Sequence, residues 1–381
     1  PRTVMTSATT LRPGQLDHVR MTMPGGAELA RQFHAEVVGP LLARERPSLR
    51  YAAGRLGSGS DVLGYDDAMS RDHDWGCRLT VLVDQADRAA GPGITALLER
   101  DLPQSYLGLP VRFGVTSDPG VRHQVQVATV ADFAVSQLGV DPTRPLTAAD
   151  WLILPGQSVL EVIAGPVFTD QTAALGPARE TLRWYPRDVE RYVLAAGWQR
   201  IEQQLAMVGR TAIRGDETGS RLLCGQLAGD VVALAFLLSR QWAPYAKWRG
   251  TAFAALPVAG RLARPIEAAL AGLSWADREA GLSAAREVLL DVQRERGLPA
   301  PAQAITKFWD RPFRTVNLAV AAGLLAGITD PQVRALPGGI GSVGQWTDNV
   351  DVLASPGRRA ALRPVYQAWS EGRATGGGAA G

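Results

Sequence analysis

Between Leu56 and Asp74 the chain reads Leu56-Gly57-Ser58-Gly59-Ser60-Asp61-Val62-Leu63-Gly64-Tyr65-Asp66-Asp67, and after a short gap Ser70-Arg71-Asp72-His73-Asp74. A glycine turn that follows a strand leaves backbone N–H groups unshielded by Cβ atoms, the arrangement that cradles phosphate oxygens, and Ser58 or Ser60 adds a hydroxyl donor. Gly57, Ser58, Gly59 and Ser60 are therefore the candidate phosphate-binding residues. Asp72 and Asp74 fall at the entrance to the next expected strand, where residues i and i+2 share a face and lie about 6–7 Å apart. Two carboxylates so placed bracket a divalent cation, and Mg²⁺ is commonly held by one or two carboxylates plus substrate phosphates. Without a cation or a basic neighbour, their repulsion would raise the pKa of one of them. The plainer reading of the same string is a tight loop followed by a solvated Asp-rich turn or helix cap.

Other residues offer chemistry with less pattern behind them. By strand alternation His73 faces away from Asp72 and Asp74, as a core or supporting histidine more than a catalytic one. His123 adjoins a strand and has the ordinary range of a base, but no Ser-His-Asp or Cys-His order surrounds it. His18 and His34 show no metal-ligand spacing. Lys247 and Lys307 are the two lysines among 40 basic residues. A lysine in Pro244-Tyr245-Ala246-Lys247-Trp248 suits a compact point charge for a phosphate or carboxylate, or equally a surface position at a helix end. Asp188 with Arg187, and Arg311 with Asp310, are candidates for lining a cleft between domains, where pockets form, and equally for structural ion pairs. Cys77 and Cys224, far apart, argue against a disulfide scaffold or a cysteine zinc site.

These residues need a frame, and 381 residues suggest two domains. With 46% hydrophobic and 20% charged residues, the composition excludes a disordered or collagen-like chain. The net charge of +3 does not imply nucleic acid. Apolar spacing predicts a helix over Glu28–Leu42, strands over Arg50–Leu56 and Asp74–Val83, a helix over Ile94–Leu102, and strands over Val111–Thr116 and Gln124–Val130. After Pro145 the segments 185–206, 220–240, 262–271, 277–295 and 313–326 are helically periodic. The expected architecture is α+β: a mixed α/β domain over residues 1–145, an all-helical substrate-binding domain over 146–373, and a disordered Gly/Ala tail over 374–381. The longest apolar run, Leu318–Ile328, is short of a membrane span. No secretory h-region is read near residue 1, so a cytoplasmic protein without a membrane partner is expected, and the arginine-rich composition suggests a bacterial source.

Gly59-Ser60, eleven intervening residues and Asp72-His73-Asp74 resemble the pattern of the nucleotidyltransferase (polymerase β-like) superfamily: a Gly-Ser pair, a spacer and two acids one residue apart. The fuller string, with Trp75-Gly76, is similar to one branch of it, the DUF4037 family. That likeness continues through Tyr185-Pro186-Arg187-Asp188-Val189, Ala243–Trp248, Asp310-Arg311-Pro312-Phe313, Leu336-Pro337 and Asp351-Val352-Leu353. The resemblance implies that Asp72 and Asp74 bind Mg²⁺ and that Gly59 and Ser60 hold a nucleoside triphosphate. It also implies a third acid on a following strand, completing the metal site and serving as general base. Its place falls at Gln126, and glutamine neither accepts a proton usefully nor binds a cation well. Asp84 and Glu161 are the off-pattern substitutes. A second departure is Gly344, where similar sequences carry an acid.

Two expectations follow. In the first, the chain is an enzyme that transfers a nucleoside monophosphate from a Mg²⁺-bound nucleoside triphosphate such as ATP to a hydroxyl of a small molecule, with Asp72, Asp74 and Lys247 catalytic. In the second, Gln126 and Gly344 mark the loss of transfer, and the cleft serves as a metal-independent lyase, cyclase or hydrolase of bacterial secondary metabolism or as a non-catalytic ligand-binding module. His73, Gln126, Asp188 and Arg311 are further pocket candidates under either.

Overall fold

The first strand, β1 (Tyr51–Gly54), is short and almost wholly buried because small residues, Ala52, Ala53 and Gly54, let strands close on both sides of it. The computed structural model describes residues 24–71, 73–116 and 118–371. Asp72 and the expected tail at 374–381 therefore lie outside the described residues. The described chain divides into two compact units, the first holding residues up to 137 with 141–143 and 160–181, the second holding 138–140, 144–159 and 182 onward. Composition suggests a single boundary after residue 145, but the first unit also includes residues 160–181.

In the first unit, α1 (Gly26–Phe33) passes through a π-helical turn at His34–Val38 into α2 (Gly39–Glu45). The run Arg-Leu-Thr-Val-Leu-Val forms β2 (Arg78–Val83), buried on both faces as a central strand of β-branched and aliphatic residues should be. After α3 (Gly91–Asp101) come β3 (Arg112–Val115) and β4 (Asp118–Thr129), and β5 (Val167–Asp170) closes the sheet. The order is β3-β4-β2-β1-β5. β1 runs antiparallel to β2 and β5, whereas β2 and β4 are parallel, pairing Arg78 with Gln124 and Thr80 with Gln126. Leu79, Val81, Val83 and Val125 point to one face and bury Leu29, Phe33, Leu42, Ile94 and Leu98 there. The segment 160–181 belongs here because β5 pairs with β1 and because the Gly57 N–H donates to the Glu161 carbonyl at 2.7 Å.

One strand expectation and one helix expectation change. Residues 74–77 are not strand, since Asp74 adopts a left-handed conformation (φ 52°) that ends any extended run before Arg78. The 313–326 segment is not one helix, since Arg314–Val316 pairs with Ile305–Lys307 in a hairpin and helix resumes at 319–326.

The second unit is otherwise helical. Its frame is α4 (Arg187–Leu205), α5 (Met207–Ala212), α6 (Glu217–Leu238), α7 (Ala246–Ala254), α8 (Ala259–Ala271) and α9 (Trp275–Glu295). Ser274 caps α9 by accepting from the Asp277 N–H while Asp277 accepts from the Ser274 N–H, a reciprocal box that fixes the helix start. By length and composition α6 is apolar enough to cross a membrane. One side of it buries Cys224, Leu227, Val231 and Leu234, the spacing of a helix packed in a core.

Candidate functional site

The Gly-Ser loop leaves β1 at Arg55, and Arg55 decides its shape. The guanidinium is 2% exposed and donates in parallel to both oxygens of Asp61, itself 7% exposed, at 2.7 and 2.9 Å. The same group donates to the Leu56 and Ser58 carbonyls at 2.8 Å each. One buried cation thus ties together both ends of the turn. Gly59 (φ +147°) passes over this pair, and a Cβ there would collide with Asp61 Oδ1 and Arg55 Nη2. That close approach is the reason for glycine at 59.

The fold turns the middle of the loop outward. Ser58 is exposed and Gly59 and Ser60 are half-buried. Among the described residues no acceptor takes the backbone N–H of Ser58, Gly59 or Ser60. Beside them stands Arg78, the first residue of β2, which donates to Ser58 Oγ at 3.2 Å and to the Asp74 carbonyl at 2.9 Å. Burial and the neighbouring Arg55 charge push the Arg78 guanidinium down to about 10, against the attraction of Asp61, Asp74 and Glu161. It remains a cation at neutral pH. Because the Arg55 and Asp61 charges cancel, Arg78 leaves a positive charge under a row of free N–H donors, which is what an anion such as phosphate needs.

The metal expectation meets different geometry. Asp74 lies in a bend, so the alternation argument for Asp72 and Asp74 on one strand face does not apply. Its Oδ1 accepts from the Thr116 N–H at 2.5 Å, and its negative charge has Arg78 for company. No group of three His, Cys, Asp or Glu gathers among the described residues to hold a metal. Asp66 is similarly occupied: its Oδ2 accepts from the Gly26 N–H at the start of α1, and Arg71 approaches it while stacking on Trp75. Among the described residues the side chains nearest the loop are thus a cation, Arg78, and a carboxylate, Asp74, already engaged by the Thr116 N–H.

The remaining candidates scatter. His73 is exposed, because the backbone there bends and does not alternate. Gln126 is exposed on β4, opposite Thr80 in register, which is the neighbouring-strand place expected for it. His123 is buried, with Nε2 3.2 Å from the Thr95 carbonyl and Nδ1 accepting from the Val125 N–H, so both ring nitrogens are used in packing a strand on α3. Glu161 contributes its carbonyl to the loop and its charge to Arg78. In the second unit, Asp188 Oδ2 accepts from Thr329 N–H, Thr329 Oγ1 and Asp330 N–H at 2.7–2.9 Å. Burial pushes that carboxyl up, and these donors bring it below its usual range. Asp188 is thus a structural anchor for the turn at Thr329. Lys247 is exposed on the first turn of α7, its Nζ 4.9 Å from the Trp248 ring. Gly344 is exposed, and a Cβ there would meet open space. Arg311 lines a pocket with other residues of the second unit.

Arg55, Asp61 and Arg78 were not singled out as site residues from sequence. Asp61 directly follows the Gly57–Ser60 string and Arg55 lies two residues before it, but that they meet depends on a turn whose path only the folded loop displays.

No curated protein matches the chain significantly. Among solved structures, the nucleotidyltransferase-like protein from Exiguobacterium sibiricum 255-15 is similar at 14% identity, over 71% of this chain and 82% of that one, with a TM-score of 0.31. Residues 151–249, a stretch that begins beyond the Gly-Ser loop, match the family model of DUF4037, a domain of unknown function.

Proposed function

We propose that the first unit is a nucleotidyltransferase-like module whose Gly57–Ser60 loop and Arg78 bind the phosphate chain of a nucleoside triphosphate. One observation carries the reading: three N–H donors without acceptors among the described residues stand beside a guanidinium that already touches the loop at Ser58. Anions are held this way at other glycine turns, by backbone dipoles plus one cation. In the full reaction an acceptor hydroxyl of a small molecule would bond to the α-phosphorus as the bond to the departing pyrophosphate breaks. Arg78 and the loop N–H groups would carry the charge of the departing phosphates. Asp72 and Asp74 are the residues that would hold a magnesium ion, which would supply positive charge to the triphosphate; Asp74 Oδ1 is engaged by the Thr116 N–H.

A second reading, nucleotide binding without transfer, is favoured by Gln126, an amide where a base is needed, and by the engagement of Asp74 with Thr116. Calorimetric titration with each nucleoside triphosphate, with and without Mg²⁺, tests both. Binding that falls at least about tenfold in Arg78→Ala supports the loop assignment. Binding unaffected by Arg78→Ala, or absent for every nucleotide, refutes it. Pyrophosphate release in the presence of hydroxylated acceptors, lost in Asp72→Ala, would decide for transfer over binding alone.

A further inference from the structure

A hairpin in the second unit presents an aromatic and cationic pocket that the reading above does not use. Its strands, β6 (Ile305–Lys307) and β7 (Arg314–Val316), pair in register from Ile305–Val316 to Lys307–Arg314. Everything below the tip is fixed. Phe313 is buried and packs edge-to-face on Trp275 at 5.5 Å, and Gly209 of α5 has no side chain because a Cβ there would press on both rings. The Arg314 N–H donates to Glu279 of α9 at 2.9 Å. The Phe308 N–H donates to the Phe313 carbonyl, and the Arg311 N–H to the Phe308 carbonyl, closing the tip loop.

On this rigid base Trp309 is 81% exposed and held in the left-handed region at φ 55°. Neither feature helps folding: the indole gains no burial, and a bulky side chain at positive φ is strained. Arg210 of α5 lies over the Phe308 ring at 5.7 Å, and with Phe308, Trp309, Asp310 and Arg311 it lines an open pocket of about 490 Å³. Among the described residues neither Arg210 nor Arg311 forms an ion pair. The pocket thus offers a flat aromatic face, two unpaired guanidinium groups and one carboxylate.

We infer that this tip binds a planar aromatic ligand carrying an anionic group, a carboxylate or a phosphate. The ring stacks on Trp309, and the anion is held by Arg311 and the N–H edge of Arg210. Guanidinium groups prefer such oxyanions because their parallel donors match two oxygens.

The full chain is titrated with adenosine monophosphate and with benzoate as ring-plus-anion probes, and with inorganic phosphate and adenosine as anion-only and ring-only probes. Tryptophan fluorescence and calorimetry are the readouts. The expected result is binding of at least one aromatic anion about tenfold or more tighter than phosphate or adenosine. Trp309→Ala and Arg311→Gln should each weaken it by a similar factor. Trp309→Gly, which relieves the left-handed strain, should lose binding with Tm unchanged or raised, so that failure to bind is not failure to fold. The inference is overturned if neither aromatic anion binds or if binding survives both tip substitutions.

Discussion

Arg55 and Asp61 are each other's main charged partner inside a glycine turn, and the energetics of such a pair are lopsided. Bringing both charges out of water costs about as much as their attraction returns, so the pair adds little net stability while it is whole. Removing one member strands the other, which costs about 3–5 kcal/mol. Arg55→Ala should therefore destabilise the chain by about that amount in urea denaturation and should also abolish nucleotide binding, because the Leu56 and Ser58 carbonyls lose their shared donor. The paired replacement Arg55→Met with Asp61→Leu should recover most of the stability and none of the binding, since the stranded charge is gone but the turn is still untied. Equal destabilisation in the single and paired variants would contradict this account. What is legible at this scale is the candidate loop itself: the Gly-Ser string marks 57–60 from residue types alone, and the fold turns its middle outward with three N–H groups that no described acceptor takes. What was not legible is which cation serves it. Alternation along an expected strand gave Asp72 and Asp74 to the site, whereas the left-handed turn at Asp74 delays the strand to Arg78 and puts a guanidinium beside the loop.

Helices and strands of the first unit are pinned by two histidines, half-buried His34 and buried His123, used as neutral hydrogen-bonding groups. His34 in the π-helical turn lies 3.2 Å from the Tyr51 hydroxyl of β1, and His123 of β4 reaches the Thr95 carbonyl of α3. Burial lowers both imidazoles below their ordinary value. The unfolded chain therefore takes up protons more readily than the folded one. Stability is full above about pH 6.5, the ordinary imidazole value, and falls as pH drops below it toward the depressed folded values. Thermal melts at about pH 7.5 and about pH 5.5 should show Tm falling with pH, with a shallower fall in the His34→Gln, His123→Gln double variant. The same slope in both proteins would exclude these residues as the cause. The long helices of the second unit were readable because one apolar face repeats over many turns, as in α6 and α9. The hairpin β6–β7 was not, because three-residue strands carry too few alternations to outweigh the apolar run that follows at Leu318.

Across the whole molecule, the division of the chain is set by which segment completes the sheet. Sequence texture changes near Pro145, where helically spaced residues take over, and a boundary there is the natural reading of composition. The sheet does not follow it. Without residues 160–181 the first unit would expose the free edge of β1, whose Ala52 and Ala53 pair with Asp170 and Thr169 of β5, and the Gly57 N–H would lose the Glu161 carbonyl. An edge of small apolar residues left open is both unstable and prone to pair with another chain. A fragment of residues 1–145 should therefore aggregate or melt without a cooperative transition, and its Gly-Ser loop should bind no nucleotide, even though it contains every residue of the proposed phosphate cradle. Residues 1–181, which restore β5 and the Glu161 carbonyl, should give a markedly more cooperative circular-dichroism melt. If the shorter fragment instead folds cooperatively and binds as the full chain does, the sheet is complete without β5 and the loop owes nothing to Glu161. The position of the turn would then have to come from the Arg55–Asp61 pair alone.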